Sequence, residues 1–450
     1  MSSTTTTEEP AEKRPKVMVQ QEETPTRCQH FVQRKKRYCK MTVGRGKQYC
    51  GEHEPQRPPS TTTTGDESET GTDRIPCPLD PKHSISATKL DKHLRICNAR
   101  PVERPVFIQP NVNAASDGED DNSQSEGTAV NERKLADVPQ DELNGLIAKI
   151  EAIYSGDCRI NAIEEMILQH AAFREELTNP SYGPQTLKHL TQSASLLGIV
   201  EREGFLRRDT AFVEFGAGKG QVAFWLATVI QQSVKDELAN TKVVLVDRAS
   251  HRHKQDNRIE DRQIVERIRA DIGDLVLKKL DVLRGSKNVV GLGKHLCGGA
   301  TDLALRCLVK AKESSAGGNG EYLQVSGFVF ALCCHHRCDW KSYTGRKFLL
   351  DRGIVRDEFE LMVRMVSWAV CGTGTSREKR KVQLDGEDGV KYGLTRSQRE
   401  KVGRKCKRVL DLGRIEYLTA NGFNSQLKQY SKSEITLENV CLIGHFNKSS

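Results

Sequence analysis

The stretch that most constrains this chain is AFVEFGAGKGQVAFWL, residues 211–226. An apolar run ends in Glu214, passes through Gly216, Gly218 and Gly220, and enters a segment with Val222, Phe224 and Leu226 that reads as a helix. Glycines let the backbone pass under a ligand without Cβ clashes, and the helix start offers unpaired N–H groups. Further apolar runs follow at 242–247 (KVVLVD), 288–293 (NVVGLG) and 327–333 (GFVFALC), with longer helical patterns between them. Strands alternating with helices predict a parallel sheet covered on both faces, an α/β, Rossmann-like domain. A late run, 439–446, reads as a final edge strand. Ahead of the sheet, Leu143, Leu146, Ile147, Ile150 and Ile153 recur at helical spacing, and Ile163 and Ile167 continue a second helix.

The glycine loop also limits the ligand. Its spacing is G-x-G-x-G and not the G-x-G-x-x-G of dinucleotide sites. An acid directly before it repels pyrophosphate and welcomes a cationic amino-acid tail. S-adenosylmethionine has such a tail and no phosphate. Asp247, ending the next strand, is placed to accept both ribose hydroxyls. Asp271, after a helical stretch 257–269, is expected near the adenine. The order strand, acid, glycines, helix, strand, acid predicts an S-adenosylmethionine-dependent methyltransferase domain over 140–450. The alternative is a nucleotide-binding or purely structural loop.

The first third is different. Of 450 residues only 36% are hydrophobic, below the roughly 45–50% of globular chains, so part of the chain cannot bury a core of its own. Residues 1–26 are expected to be disordered, 55–73 to be a linker, and 101–139 to be an acidic flexible linker built on NAASDGEDDNSQSEGT. Between these lie two Cys/His clusters. In 27–54, Cys28, Cys39, Cys50 and His53 form C-x10-C-x10-C-x2-H, with His30 as a rival fourth ligand. Within 27–53, eight basic residues, among them Arg34, Lys35, Lys36, Arg37, Arg45 and Lys47, accompany one acid, Glu52. In 74–100, Cys77, His83, His93 and Cys97 form C-x5-H-x9-H-x3-C, with His93 and Cys97 on one face of a helix. Each set is expected to close a structural tetrahedral zinc site, because four ligands leave no open position. No apolar run approaches the ~20 residues that span a bilayer, and the start lacks a secretory h-region. An intracellular location, cytoplasm and/or nucleus, is therefore expected, where 14 cysteines serve as metal ligands or buried thiols and not as disulfides. The net charge of +9 fits a polyanionic partner without demanding one. Residues 376–414, with 13 basic residues against six acids, are expected to face such a partner.

Two polar segments follow strand-like runs, where open α/β sheets place their active sites. In GKHLCGGATD (293–302), His295 is a candidate general base or substrate donor, and Lys294 a candidate to neutralise negative charge. In CCHHRCDW (333–340), Cys333, Cys334, His335 and Cys338 are crowded for one tetrahedral site and read as core-facing thiols at a strand end; His335 and Asp339 stand next in line as reaction groups.

These two segments and the two Cys/His clusters together resemble the eukaryotic tRNA ribose 2'-O-methyltransferases that modify the fourth nucleotide of the acceptor stem. That family has a CCCH finger, a CHHC finger and a methyltransferase domain, here 28–53, 77–97 and about 150–446. YGPQTLKHLTQSASLLG (182–198) and REKVGRKCKRVLDLGRIEYL (399–418) extend the resemblance, whereas TSREKRKVQLDGEDGV (375–390) matches nothing. The CHHC spacing is also similar to a minor-spliceosome finger that contacts RNA. The resemblance implies methyl transfer from S-adenosylmethionine to a ribose 2'-hydroxyl, with the tRNA acceptor stem as partner, no membrane and no stable protein partner. His295 and Lys294 remain assignments from chemistry alone. A zinc-finger RNA-binding adaptor with an inactive domain, and an RNA base methyltransferase, are the competing readings.

Overall fold

In the computed structural model, two units divide the chain, one up to Pro101 and one from Val102. The structure describes residues 27–33, 37–44, 48–50, 53, 74–97, 99–100, 104–114, 133–233, 237–251, 254–312, 323–370 and 390–446. The expected disorder of 1–26, the 55–73 linker, most of the acidic stretch, the basic side chains Arg34, Lys35, Lys36, Arg45 and Lys47, and nearly all of 375–390 lie outside them. Among the described residues, no helix is long and apolar enough to cross a membrane.

The first unit holds two small elements. Residues Phe31–Val32 and Arg37–Tyr38 pair as a minimal antiparallel ladder. Residues Arg74–Cys77 pair with Asp80–Ser86, and a two-turn helix, Leu90–Ile96, follows.

The second unit is a seven-stranded sheet with helices on both faces. Its strands are β1 (Thr210–Phe215), β2 (Lys242–Asp247), β3 (Val265–Arg269), β4 (Asn288–Cys297), β5 (Val325–Cys333), β6 (Phe423–Gln429) and β7 (Val440–Phe446). Their spatial order is β6-β7-β5-β4-β1-β2-β3, all parallel except β7. Every residue of β1 and β5 is buried. The period of two sorts those continuous apolar runs into separate cores. Ala211, Val213, Phe215, Val244, Val246 and Phe330 enter one, and Phe212, Val243, Leu245, Val290, Leu292 and Val329 the other. Six helices matter below: α1 (Gln140–Ser155), α2 (Pro184–Arg202), α3 (Gln221–Gln232), α4 (Gly299–Lys312), α5 (Arg356–Val370) and α6 (Arg396–Ala420).

Four expectations change. The run 439–446 is not an edge strand: β7 lies between β5 and β6, because the half-polar FNSQLKQ of β6 takes the edge. No second helix runs through Ile163 and Ile167. After one turn at Cys158–Asn161 the chain extends along the open edge of β6, where Met166 N–H donates to the Gln429 carbonyl at 2.9 Å and Gln429 N–H to the Glu164 carbonyl at 2.9 Å. An unpaired strand edge offers more hydrogen bonds than a short helix there. The stretch 257–269 is not helical; two single 3-10 turns lead into β3, whose VERIR pairs in parallel with β2. Finally, 104–114, inside the expected linker, docks on the second unit: Asn113, 1% exposed, donates its amide to the carbonyls of Ile272 and Leu275 at 2.7 and 2.8 Å.

The basic run of α6 turns partly inward. Lys407 is buried against Glu438, Lys405 pairs with Glu151, and Arg399 donates to the Leu394 carbonyl at 2.8 Å. Arg414 is 1% exposed and spans Asp302 of α4 at 2.7 Å and Asp411 at 3.1 Å. Asp411 also meets Arg408 at 2.9 Å and His335 Nε2 at 2.6 Å, while Thr344 Oγ1 donates to Asp302 at 2.9 Å. Two carboxylates thus face two guanidinium groups in the protein interior. Removing one partner from such a set strands the others without water. Arg414→Ala should cost about 3–5 kcal/mol in urea unfolding. Arg404→Ala, at an exposed position of the same helix, should cost less than about 0.5 kcal/mol.

Candidate active site and zinc centres

The loop between β1 and α3 is built on left-handed backbone. Gly216, Gly218 and Gly220 have φ of 62°, 53° and 74°. At Gly220 a Cβ would also lie 2.7 Å from Leu245 and 2.9 Å from Asp256, so no larger residue fits. Arg267 braces the loop, donating to the Gly218 carbonyl at 3.0 Å and pairing with Asp256 at 2.8 Å. The helical reading of 257–269 hid this brace.

Three carboxylates border the loop. Asp247 ends β2, and its oxygens accept the Gly218 and Ala249 N–H groups, each at 2.8 Å. His251 Nε2 stands 3.3 Å from one of those oxygens, and a carboxylate with about four lone-pair sites keeps room for a further hydroxyl donor. Asp271, exposed just beyond β3, accepts the Gly273 N–H at 2.9 Å, and Ala270 N–H donates to the Asp247 carbonyl at 3.2 Å, which ties the two strand ends together. Glu214 is 3% exposed and accepts the Ala223 N–H of α3 at 3.0 Å. Burial pushes its carboxyl up to about 7, against the opposing pull of that N–H and the Lys294 charge. An open glycine cradle lined by acids fits the ammonium and ribose hydroxyls of S-adenosylmethionine and suits no phosphate.

Burying Glu214 as a carboxylate costs stability. Its folded pKa lies above the ordinary 4.5, so the stability it contributes is full below that value and is lost as pH rises through about 7. Glu214→Gln should raise the melting temperature of the ligand-free protein at pH 8 by about a few degrees and leave it little changed at pH 5. The same variant should bind S-adenosylmethionine at least about tenfold more weakly by calorimetry. In the parent, affinity should fall as pH drops from about 8 to 6, because protonation removes the charge that meets the ammonium.

Lys294 and His295 lie at the carboxyl end of β4, beside β1. The β4–β5 register slips between Lys294 and Leu296, which leaves His295 as a bulged residue with φ of 66°. A bulge re-aims a side chain, and a non-glycine residue in this region carries about 1–3 kcal/mol of strain. Lys294 Nζ donates to the His189 carbonyl at 3.0 Å and to Ser193 Oγ at 2.9 Å, both on α2. Burial lowers its pKa to about 8, with the Glu214 charge opposing. His295 is solvent-exposed on one side, with the His189 ring edge-on at 6.3 Å. Desolvation and then the Lys294 charge lower its imidazole to about 4.

Helix α2 supplies residues that the sequence reading passed over. His189, Gln192 and Ser193 stand three and four apart, so one helical face carries them. The signal in the sequence is weak, because the helix carries other polar residues, among them Gln185, Thr191 and Ser195. Gln192 is fully buried, and both its amide atoms lack a partner among the described residues.

The CCHHRCDW segment packs against the turn after β4. Gly298, with φ of 57°, has no room for a Cβ, which would strike the Arg337 carbonyl. His335 is 1% exposed and locked to Asp411, and Asp339 accepts from Ser342 N–H at 2.8 Å and Ser342 Oγ at 2.5 Å. His335 is thus shut away from solvent, whereas Asp339 is exposed. Cys333 and Cys338 are core-facing, but Cys334 and Cys297 are only half-buried.

The two fingers bring their donor atoms together. Those of Cys28, Cys39, Cys50 and His53 all lie within 4.8 Å of one another, as do those of Cys77, His83, His93 and Cys97. His53 Nδ1 is 3.3 Å from Cys50 Sγ and 3.6 Å from Cys28 Sγ, whereas His30 stacks on the His53 ring at 3.9 Å and stays outside the cluster. The apolar core of the first finger is little more than its cysteines, Val43 and Tyr49. In the second, Cys77 and Cys97 Sγ are 3.7 Å apart, and His93 Nε2 is 3.2 Å from Cys77 Sγ. Tetrahedral zinc, with Zn–S near 2.3 Å, sets S···S at about 3.8 Å. Cys97→Ala should therefore lower zinc by one equivalent in elemental analysis and raise protease sensitivity within 74–100, while the unfolding midpoint of the second unit stays unchanged.

Comparison with known proteins agrees with this arrangement. Residues 191–445 match the family described as Methyltransferase TRM13, 26–54 the CCCH zinc finger in TRM13 protein, and 74–98 the U11-48K-like CHHC zinc finger. The Mus musculus "tRNA:m(4)X modification enzyme TRM13 homolog" is 35% identical, over 92% of this chain and 93% of that protein. The Saccharomyces cerevisiae "tRNA:m(4)X modification enzyme TRM13" is 28% identical, over 92% and 95%. Among solved structures, human N-acetylserotonin methyltransferase in complex with SAM aligns at 8% identity and a TM-score of 0.23, over 68% of this chain and 66% of that one, a likeness too distant to bear on function. From the family match over more than half its length and these relatives, the chain belongs to the TRM13 methyltransferase family.

Proposed function

We propose that this protein transfers a methyl group from S-adenosylmethionine to the 2'-hydroxyl of the fourth nucleotide of a tRNA acceptor stem. The observation that carries the reading is the placement of Lys294 and His295, by one bulge of β4, next to the strand whose Glu214 borders the glycine loop. The curated relatives are named as tRNA modification enzymes, and the sequence resemblance points to the ribose hydroxyl. When bound, the cofactor supplies a methyl carbon activated by its sulfonium.

The residues of this chain do the rest. A ribose hydroxyl is a poor acid, so its oxygen has to be held in line and its proton given a destination. His295, open to solvent at the bulge, receives or steers that proton. Lys294 has three donors, two already fixed by His189 and Ser193, and the third faces the charge that develops on the oxygen.

Incubation with labelled cofactor and bulk tRNA, followed by nucleoside analysis, tests the reading. A 2'-O-methylated nucleoside mapped to the fourth acceptor-stem position is expected. A base-methylated product, or tRNA binding without transfer, contradicts it. His295→Ala should lower turnover by roughly 10²–10⁴ with cofactor affinity intact. Parental turnover at saturating substrates would remove His295 from the site.

A further inference from the structure

A third set of thiols stands outside both fingers. Cys297 ends β4, Cys333 ends β5 and Cys334 follows it, and their three sulfurs lie within 4.8 Å of one another. Cys297 and Cys333 Sγ are 3.5 Å apart. That is the spacing of the second finger, where the corresponding pair is 3.7 Å apart, and it is near the ~3.8 Å of two thiolates on one zinc. Cys297 and Cys333 are paired residues of adjacent strands, in a register set by the His295 bulge. Cys334 has φ of 48°, a conformation rarely taken by a residue with a Cβ. Strand pairing and this left-handed residue after β5 thus bring three sulfurs together. Cys297 and Cys334 are half-buried, so an ion can enter and leave.

We propose that Cys297, Cys333 and Cys334 bind a third zinc ion, with the fourth position left to water. Three sulfur donors select a soft, tetrahedral metal over magnesium or calcium. Unlike the four-ligand fingers, a three-ligand site stays open to exchange. The ion would clamp the ends of β4 and β5 together and hold the His295 bulge in register. Each cysteine gives up its thiol proton to solvent when its Zn–S bond forms; nothing is oxidised or reduced.

The test uses the full chain, purified without chelator under reducing conditions. Elemental analysis should give three zinc ions per chain, and two in the Cys297→Ser, Cys334→Ser double variant. Two zinc ions in both proteins would overturn the site. In case the double variant folds poorly, the parent alone provides a second readout. Alkylation followed by peptide mass spectrometry should modify Cys297 and Cys334 only after a zinc chelator is added. Equal modification before and after chelation, or a Cys297–Cys333 disulfide in the reduced preparation, would also overturn it. Cobalt-loaded parent should show a thiolate-to-metal charge-transfer band stronger than that of the double variant, and equal bands would contradict the proposal.

Discussion

The ion network of Asp302, Arg414, Asp411 and Arg408 holds the segments that follow β4 and β5 in place. Asp302 belongs to the helix that starts after β4, and His335 to the segment that follows β5. Both are tied to one helix, α6, through Asp411 and Arg414. A parallel sheet fixes where its strands end but not how the following turns are arranged. Here charge pairing fixes them, since carboxylates and guanidinium groups taken out of water accept few alternative geometries. Swapping such a set for apolar residues often leaves stability unchanged, so its value here is the single arrangement it enforces on the β4 and β5 turns. Lys294, His295 and Cys297 at the end of β4, and Cys334 just after β5, adjoin those turns.

Strain and buried charge concentrate at the same edge of the sheet. His295 and Cys334 hold left-handed backbone without being glycine, and Glu214 keeps a carboxylate in a place that disfavours its ionised form. Gln192 adds an unsatisfied buried amide. Each lowers the stability of the protein, and strain of this kind clusters at functional sites. The cores on either face of the sheet, regular and apolar, supply the stability that makes these features tolerable.

Much of this was legible in the sequence. The runs ending in Glu214 and Asp247 gave the central strands because strands buried on both faces must be continuously apolar. The finger ligands were legible because their spacing is nearly all those segments contain. The half-polar β6 was missed, since an edge strand alternates weakly, and its partner 439–446 was therefore placed at the edge. VERIR was read as helix because charged residues mask a period of two. The inward turn of Lys407 and Arg414 was invisible, as charge composition does not say which face of a helix meets acids from elsewhere. The meeting of Cys297 with Cys333 and Cys334, 36 and more residues apart, depends on two strands lying side by side.

The central claim is that one edge of the sheet holds the cofactor between Glu214 and Asp247 with its reacting atom facing Lys294 and His295. A crystal structure of the chain with S-adenosylhomocysteine tests it most directly. The amino group should lie on the Glu214 side of the glycine loop, the ribose hydroxyls on Asp247, and the sulfur should turn toward Lys294 and His295. Ligand density elsewhere, or a sulfur facing away from the end of β4, would contradict it.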